Sequence, residues 1–112
     1  MSATAPEVSP SVACPLEDSL AALTRTHASE SGLVALHDGR DSLAARVLLA
    51  DAATRTLDVQ YYIWRNDLSG TILFEALRRA ADRGVRVRLL LDDNNTSGRD
   101  GVLAALTSHP RI

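Results

Sequence analysis

Leu57-Asp58-Val59-Gln60-Tyr61-Tyr62-Ile63-Trp64 and, further on, Gly84-Val85-Arg86-Val87-Arg88-Leu89-Leu90-Leu91 decide the fold. β-Branched and aromatic residues fill the first stretch, and apolar residues alternate with polar ones through much of both, as pleated strands require. Between them, the segment 69–83 carries Ile72, Leu73, Ala76, Leu77 and Ala80 on one helical stripe. Arg78, Arg79, Asp82 and Arg83 fall on the opposite face. Asp67 or Ser69 is placed to cap this helix, and Gly84 to stop it in the left-handed conformation. A strand, a helix and a second strand at this spacing form a parallel pair joined by a right-handed crossover.

Working toward the N-terminus, Leu33 to Leu36 is a short apolar run closed by Asp38-Gly39, and it reads as an earlier strand. Asp41 or Ser42 then caps a helix carrying Leu43, Val47 and Ala50, closed by residues 54–56. Pro15 suits a helix start, and Leu16, Leu20 and Leu23 recur at helical spacing, so a first helix is expected to about Ala28. Pro6, Pro10 and Pro15 mark residues 1–15 as a flexible leader. Toward the C-terminus, residues 92–98 have loop composition, and Ser97 with Asp100 caps a last helix bearing Val102, Leu103 and Leu106. Pro110 ends it, and Arg111-Ile112 opens a further strand. The organisation expected is a leader over 1–15, a helix over 16–31 and an incomplete domain over 32–112. Its fold class is α/β, a partial α/β/α sandwich with a mostly parallel sheet.

Composition narrows the function. The chain has 112 residues, 46% hydrophobic and 23% charged, which fits one small globular domain and excludes wholesale disorder. Its apolar runs are too short to span a bilayer, and no basic, apolar leader opens it. These features point to a cytoplasmic protein or one peripheral to the inner membrane. A formal charge of −2 gives no global electrostatic case for nucleic acid. All twelve basic residues are arginine. A Walker lysine, a Schiff base and a His-x-Lys motif are therefore absent from this sequence. The lone Cys14 permits neither an internal disulfide nor a multi-cysteine zinc site. Ser11-Val12-Ala13-Cys14 lacks the apolar stretch that lipoprotein processing needs.

Ligands of open parallel sheets bind beyond the carboxyl ends of the strands. Two segments reach that edge here, Tyr62 to Asp67 and Asp92 to Arg99. Asp92-Asp93 with Asp67 offers oxygens to a divalent cation, but such sites want more ligands, and cap or loop roles fit better. Arg65 and Arg99, near the start of the last helix, offer a phosphate cradle, or else remain solvated. Arg78, Arg79, Arg83, Arg86 and Arg88 form a basic run suited to an acidic surface or to plain solvation, with Glu75 and Arg79 as an i,i+4 pair. His27, His37 and His109 have no partner at metal-ligand spacing and read as surface or capping residues. No metal or cofactor is called for.

The stretch from Thr56 to Gly98, matching in order and spacing, resembles the opening of the phospholipase D superfamily, most of all its bacterial cardiolipin-synthase-like branch. Gly32 to Leu36 and the Ala45-Arg46 helix fit the same pattern. The resemblance implies an α/β/α sandwich, used as two halves or as a dimer, each half supplying a His-x-Lys-x-x-x-x-Asp motif. One histidine attacks phosphorus, the other protonates the leaving alcohol, and the lysines hold phosphate oxygens, without metal. This chain contains no such motif, so no catalytic residue is carried over. What is carried over is a substrate-pocket rim: Tyr62, Trp64, Arg65, Asp67, Asp92, Asn94 and Arg99. The expectation is the N-terminal portion of a phosphatidyltransferase or phosphodiesterase, inactive by itself, whose parent meets phospholipid or a membrane surface. Self-association through an exposed sheet edge is also expected, and nucleic acid is not an expected partner. The rival readings are a small α/β interaction module and half of a phospholipase D-type nuclease.

Overall fold

The computed structural model describes residues 15–92, 98 and 100–112. Strands β1 (Thr56–Tyr61) and β2 (Arg86–Leu91) pair in parallel, in register from Thr56 opposite Arg86 to Tyr61 opposite Leu91. Helix α3 (Leu68–Asp82) makes the crossover between them. Its start is fixed by Asp67, an extended residue whose carboxylate accepts from the Gly70 N–H. Its end is a left-handed stop at Gly84, with φ of 94°. There the Gly84 N–H donates to Ala81 and the Val85 N–H donates to Ala80. This double closure satisfies the last carbonyls and turns Val85 straight into the core.

The core follows from the two periodicities. Leu73, Leu77, Ala80 and Ala81 of α3 meet Val85, Val87 and Trp64, with Leu57, Val59, Tyr61, Phe74, Leu89 and Leu91 packed against them. Alternate strand residues therefore face α3. Thr56, Asp58, Gln60, Arg86, Arg88 and Leu90 point the other way and are exposed. Leu90 is 62% exposed, so the Leu89-Leu90-Leu91 run is not buried on both faces. Among the described residues, helices cover one face of the sheet.

Helix α2 (Gly39–Ala52) packs on α3 through the small, buried Ala50, and arginine locks the pair. The Arg83 guanidinium donates to the carbonyls of Ala50 at 2.8 Å and Asp51 at 3.1 Å, closing the C-terminus of α2 from outside. Arg79 pairs with the Asp51 carboxylate. Arg78 bridges Glu75 and Asp82 within α3. Most of the basic run is thus engaged in the scaffold, and Glu75 takes Arg78 rather than Arg79. Helix α4 (Asp100–Thr107) shares a cavity with α3 and buries Leu106, and beyond its end His109 pairs with Asp82. The Arg111 carbonyl accepts from the Val87 N–H at 2.8 Å, on the edge of β2 away from β1, but the expected strand at residues 111 and 112 is not formed.

Four further expectations need correction. Leu33 to Leu36 forms no strand: Leu33 is 95% exposed and Val34 87%. A short apolar run without alternation forms a strand only with a ladder partner, and none is present among the described residues. The Asp38-Gly39 pair is a helix start rather than a free turn, because the Asp38 carboxylate accepts from the Arg40 and Asp41 N–H groups. β1 ends at Tyr61, and Trp64 drops out of the strand into the core. Helix α1 (Pro15–Arg25) ends short of Ala28, where Thr24 and Thr26 turn their hydroxyls back onto helix carbonyls. No helix is long and apolar enough to cross a membrane.

Leu77, 1% exposed, is with Val85 one of the two largest fully buried side chains of the core among the described residues. Leu77→Ala should cost about 2–5 kcal/mol, a large share of the stability of so small a domain. Urea denaturation followed by circular dichroism measures it.

Candidate functional site

Beyond Tyr61 the chain leaves the sheet and turns over the N-terminus of α3. Trp64 anchors this turn: it is 3% exposed, stacks on Phe74 with ring centroids 4.3 Å apart, and meets Tyr61 edge-on at 4.8 Å. Its indole Nε1 is buried without a hydrogen-bond partner among the described residues. Leaving such a donor unmet costs about 1–3 kcal/mol, so aromatic packing outweighs it. Gly70 makes the fit possible. A Cβ there would stand 2.1 Å from the Arg65 carbonyl oxygen and 2.9 Å from Trp64 Nε1.

Asp67 completes the turn. Its carboxylate accepts from the Gly70 N–H at 2.9 Å and the Ser69 hydroxyl at 2.7 Å. The Gly70 N–H first, and then the Ser69 hydroxyl, hold its pKa below the usual carboxylate value. A groove of about 170 Å³ opens beside the turn, with Arg46, Ile63, Arg65 and Ser69 among its walls. Arg46 reaches it from α2, donating to the Tyr61 hydroxyl at 2.6 Å and to Ser42 Oγ. A larger cavity of about 460 Å³ between α2 and β1 is walled largely by apolar side chains such as Leu49, Leu57, Val59 and Leu77.

The structure brings some of the expected rim residues together. Tyr62 and Arg65 are exposed on the turn, Asp67 is committed to the helix start, and Trp64 lies beneath them as their support. Asp92, half-buried at the end of β2, is held beside this turn by its N–H, which donates to the Tyr61 carbonyl. Asn94 and Arg99, with Asp93 and Ser97, lie outside the described residues. Among the described residues no group of three His, Cys, Asp or Glu is placed to hold a metal ion. His27 pairs with Glu30, while His109 accepts from the Arg111 N–H through Nδ1 as its Nε2 faces Asp82. Sequence reasoning missed Arg46, Ser69 and Gly70 as groove residues. The Ser42–Arg46 spacing of i,i+4 was the available signal for the first.

Over 90 residues, 80% of this chain, the sequence is 59% identical to cardiolipin synthase C of Escherichia coli. The chain is related to the cardiolipin-synthase-like branch of the phospholipase D superfamily. Uncharacterized proteins of two Helicobacter pylori strains are 39% identical over 84 residues and 40% identical over 82 residues, 75% and 73% of this chain. The matched stretch is 19% of the E. coli protein and 17% and 16% of the other two, so this phospholipase D-like chain spans less than a fifth of these relatives. No family model and no solved structure matches it.

Two predictions concern this turn and the sheet beside it. Asp58 also titrates below its ordinary value, chiefly through its hydrogen bond from Arg88. For both carboxylates the folded pKa is depressed. Their stabilisation is therefore complete above the ordinary value and is lost as pH falls through the folded one. The melting temperature should fall below about pH 4, and Asp67→Asn and Asp58→Asn should each flatten that fall. Gly70→Ala should cost about 1–3 kcal/mol or more through the clash with the Arg65 carbonyl, with a shift in Trp64 emission as its marker.

Proposed function

We propose that this chain is the opening part of a phospholipase D-like phosphatidyltransferase or phosphodiesterase acting on phospholipid, and that the turn after β1 forms part of its substrate-pocket rim. The observation that carries this reading is the 59% identity, over 90 residues, to a protein named cardiolipin synthase C. On this reading Tyr62, Arg65 and Asp92, together with Asn94 and Arg99, face the pocket. Trp64 and Asp67 hold the rim in shape. Residues 32–112 then belong to one half-domain, and the edge of β1 that has no strand partner among the described residues is where a second copy would add a strand.

The chemistry itself needs groups this chain does not contain. Without a lysine or a His-x-Lys pair, it has neither the nucleophile arrangement nor the phosphate clamp that the family resemblance implies. The chain by itself should turn over no phosphatidylglycerol above a buffer control.

A chimera tests the positive half of the proposal. In E. coli cardiolipin synthase C, the matched stretch is replaced by that of this chain, and cardiolipin formation is measured in lipid extracts. Retained synthesis is expected. A chimera that folds cooperatively but makes no cardiolipin overturns the reading.

A further inference from the structure

Among the described residues, the groove after β1 is lined by cations and no anion. Arg46 and Arg65 line it, and none of its walls is a carboxylate. Both hydrogen-bond partners of Arg46 are neutral hydroxyls. Arg65 makes no ion pair among the described residues, whereas Arg55, Arg78, Arg79, Arg83 and Arg88 all do. The nearby Asp67 carboxylate feels the Arg65 charge but is turned onto the first turn of α3, where two donors hold it, and it lines no part of the groove. The groove therefore presents two cations to whatever enters, while the Ser69 proton is already given to Asp67.

Apolar side chains stand out around this positive groove. Tyr62 is 71% exposed, Ile63 48% and Leu68 77%, all on the same short turn. A flexible loop would lose much of the gain from docking such groups to the entropy of ordering them. This turn is held beforehand by buried Trp64, by the Asp67 cap and by the close contact of Gly70 with the Arg65 carbonyl. A tyrosine with aliphatic neighbours beside arginines that make no ion pair among the described residues is the composition of an element that sits at a lipid–water interface.

We propose that the turn 62–68 docks this chain onto an anionic phospholipid bilayer, Tyr62, Ile63 and Leu68 entering the interface while Arg46 and Arg65 receive a lipid phosphate. The inference rests on the phospholipid reading above and assigns its membrane contact to one turn. The charge complementarity names the occupant, because a neutral apolar partner brings no anion to the two arginines that line the groove.

Sedimentation of the chain with vesicles tests it, using phosphatidylcholine alone and phosphatidylcholine mixed with phosphatidylglycerol. Binding is expected to the mixed vesicles and to weaken with added salt. Replacing Tyr62, Ile63 and Leu68 together by Ser should weaken it at least about tenfold. Arg65→Gln should weaken it about fivefold on the mixed vesicles only. The double variant Leu33→Ser, Val34→Ser removes an equally exposed apolar pair elsewhere and should bind as the parent does. Emission of Trp64, the single tryptophan, reports whether each variant keeps its fold. Inorganic phosphate should compete no better than chloride at equal ionic strength, which separates a bilayer from a free phosphate site. The proposal is overturned by absence of binding, by triple-variant binding equal to the parent, by loss of binding in the Leu33, Val34 variant, or by strong phosphate competition. Failure here with a chimera that still makes cardiolipin removes the docking turn alone and leaves the phospholipid reading standing.

Discussion

The contact between Gly70 and the Arg65 backbone governs what the carboxyl end of the sheet can present. The space for a Cβ at position 70 is occupied by a carbonyl oxygen and an indole nitrogen. Only glycine lets the chain leaving β1 pass this close to the first turn of α3. Once that approach is made, Trp64 fills the volume beneath the turn and Asp67 arrives at the position from which it caps the helix. Burial, capping and the outward display of Tyr62 and Arg65 are thus consequences of one close backbone approach. The buried, unpaired indole N–H is compatible with this arrangement because stacking on Phe74 and edge contact with Tyr61 act on the same ring.

A second constraint acts at the opposite end of the sheet. Helix α2 has no basic residue in its last turn, so its terminal carbonyls have no local cation to meet. Arg83, at the end of α3, supplies one by reaching the Ala50 and Asp51 carbonyls together. A guanidinium suits this task better than an ammonium, since its planar fork addresses several oxygens from one position. The abundance of arginine in this chain therefore has structural uses, and a basic run on a helix face is a poor guide to an acidic ligand until its partners are known. The arginines left with neutral partners, or with no ion pair, carry more functional information than the run does.

How legible this was from sequence depended on whether the signal was local. Gly84 as a left-handed stop, Asp67 as a cap and the alternation of β2 are set by neighbours within a few residues, and each reads directly from the residue types. Trp64 did not: an aromatic at the end of a β-rich run looks like one more strand residue, and only the Gly70 contact across the turn takes it into the core. The Leu33 to Leu36 run failed for the converse reason. Its composition suits a strand, but a strand exists only with a partner ladder, which is a tertiary condition. The groove was half legible. Ile63, Trp64 and Arg65 lie in the segment that strand-end logic selects, whereas Arg46 joins them through α2 packing that no short window shows.

The exposed face of the sheet extends the same reasoning. Asp58 and Arg88 stand directly opposite in the parallel ladder, and the guanidinium straddles the carboxylate through Nε and Nη2. A slip of one residue between β1 and β2 would part these charges and turn Leu57 and Val59 away from α3 together. Apolar and ionic sides of the sheet therefore specify one register by different physics. In water such a pair contributes little to stability. Covered by a second layer, as in a complete α/β/α sandwich, the same pair would be costly to break, because either partner alone would be a buried charge. That makes the polar face a selective surface: a layer packing onto it must leave Asp58 and Arg88 joined and must supply acceptors for Arg86, which a purely apolar helix cannot do.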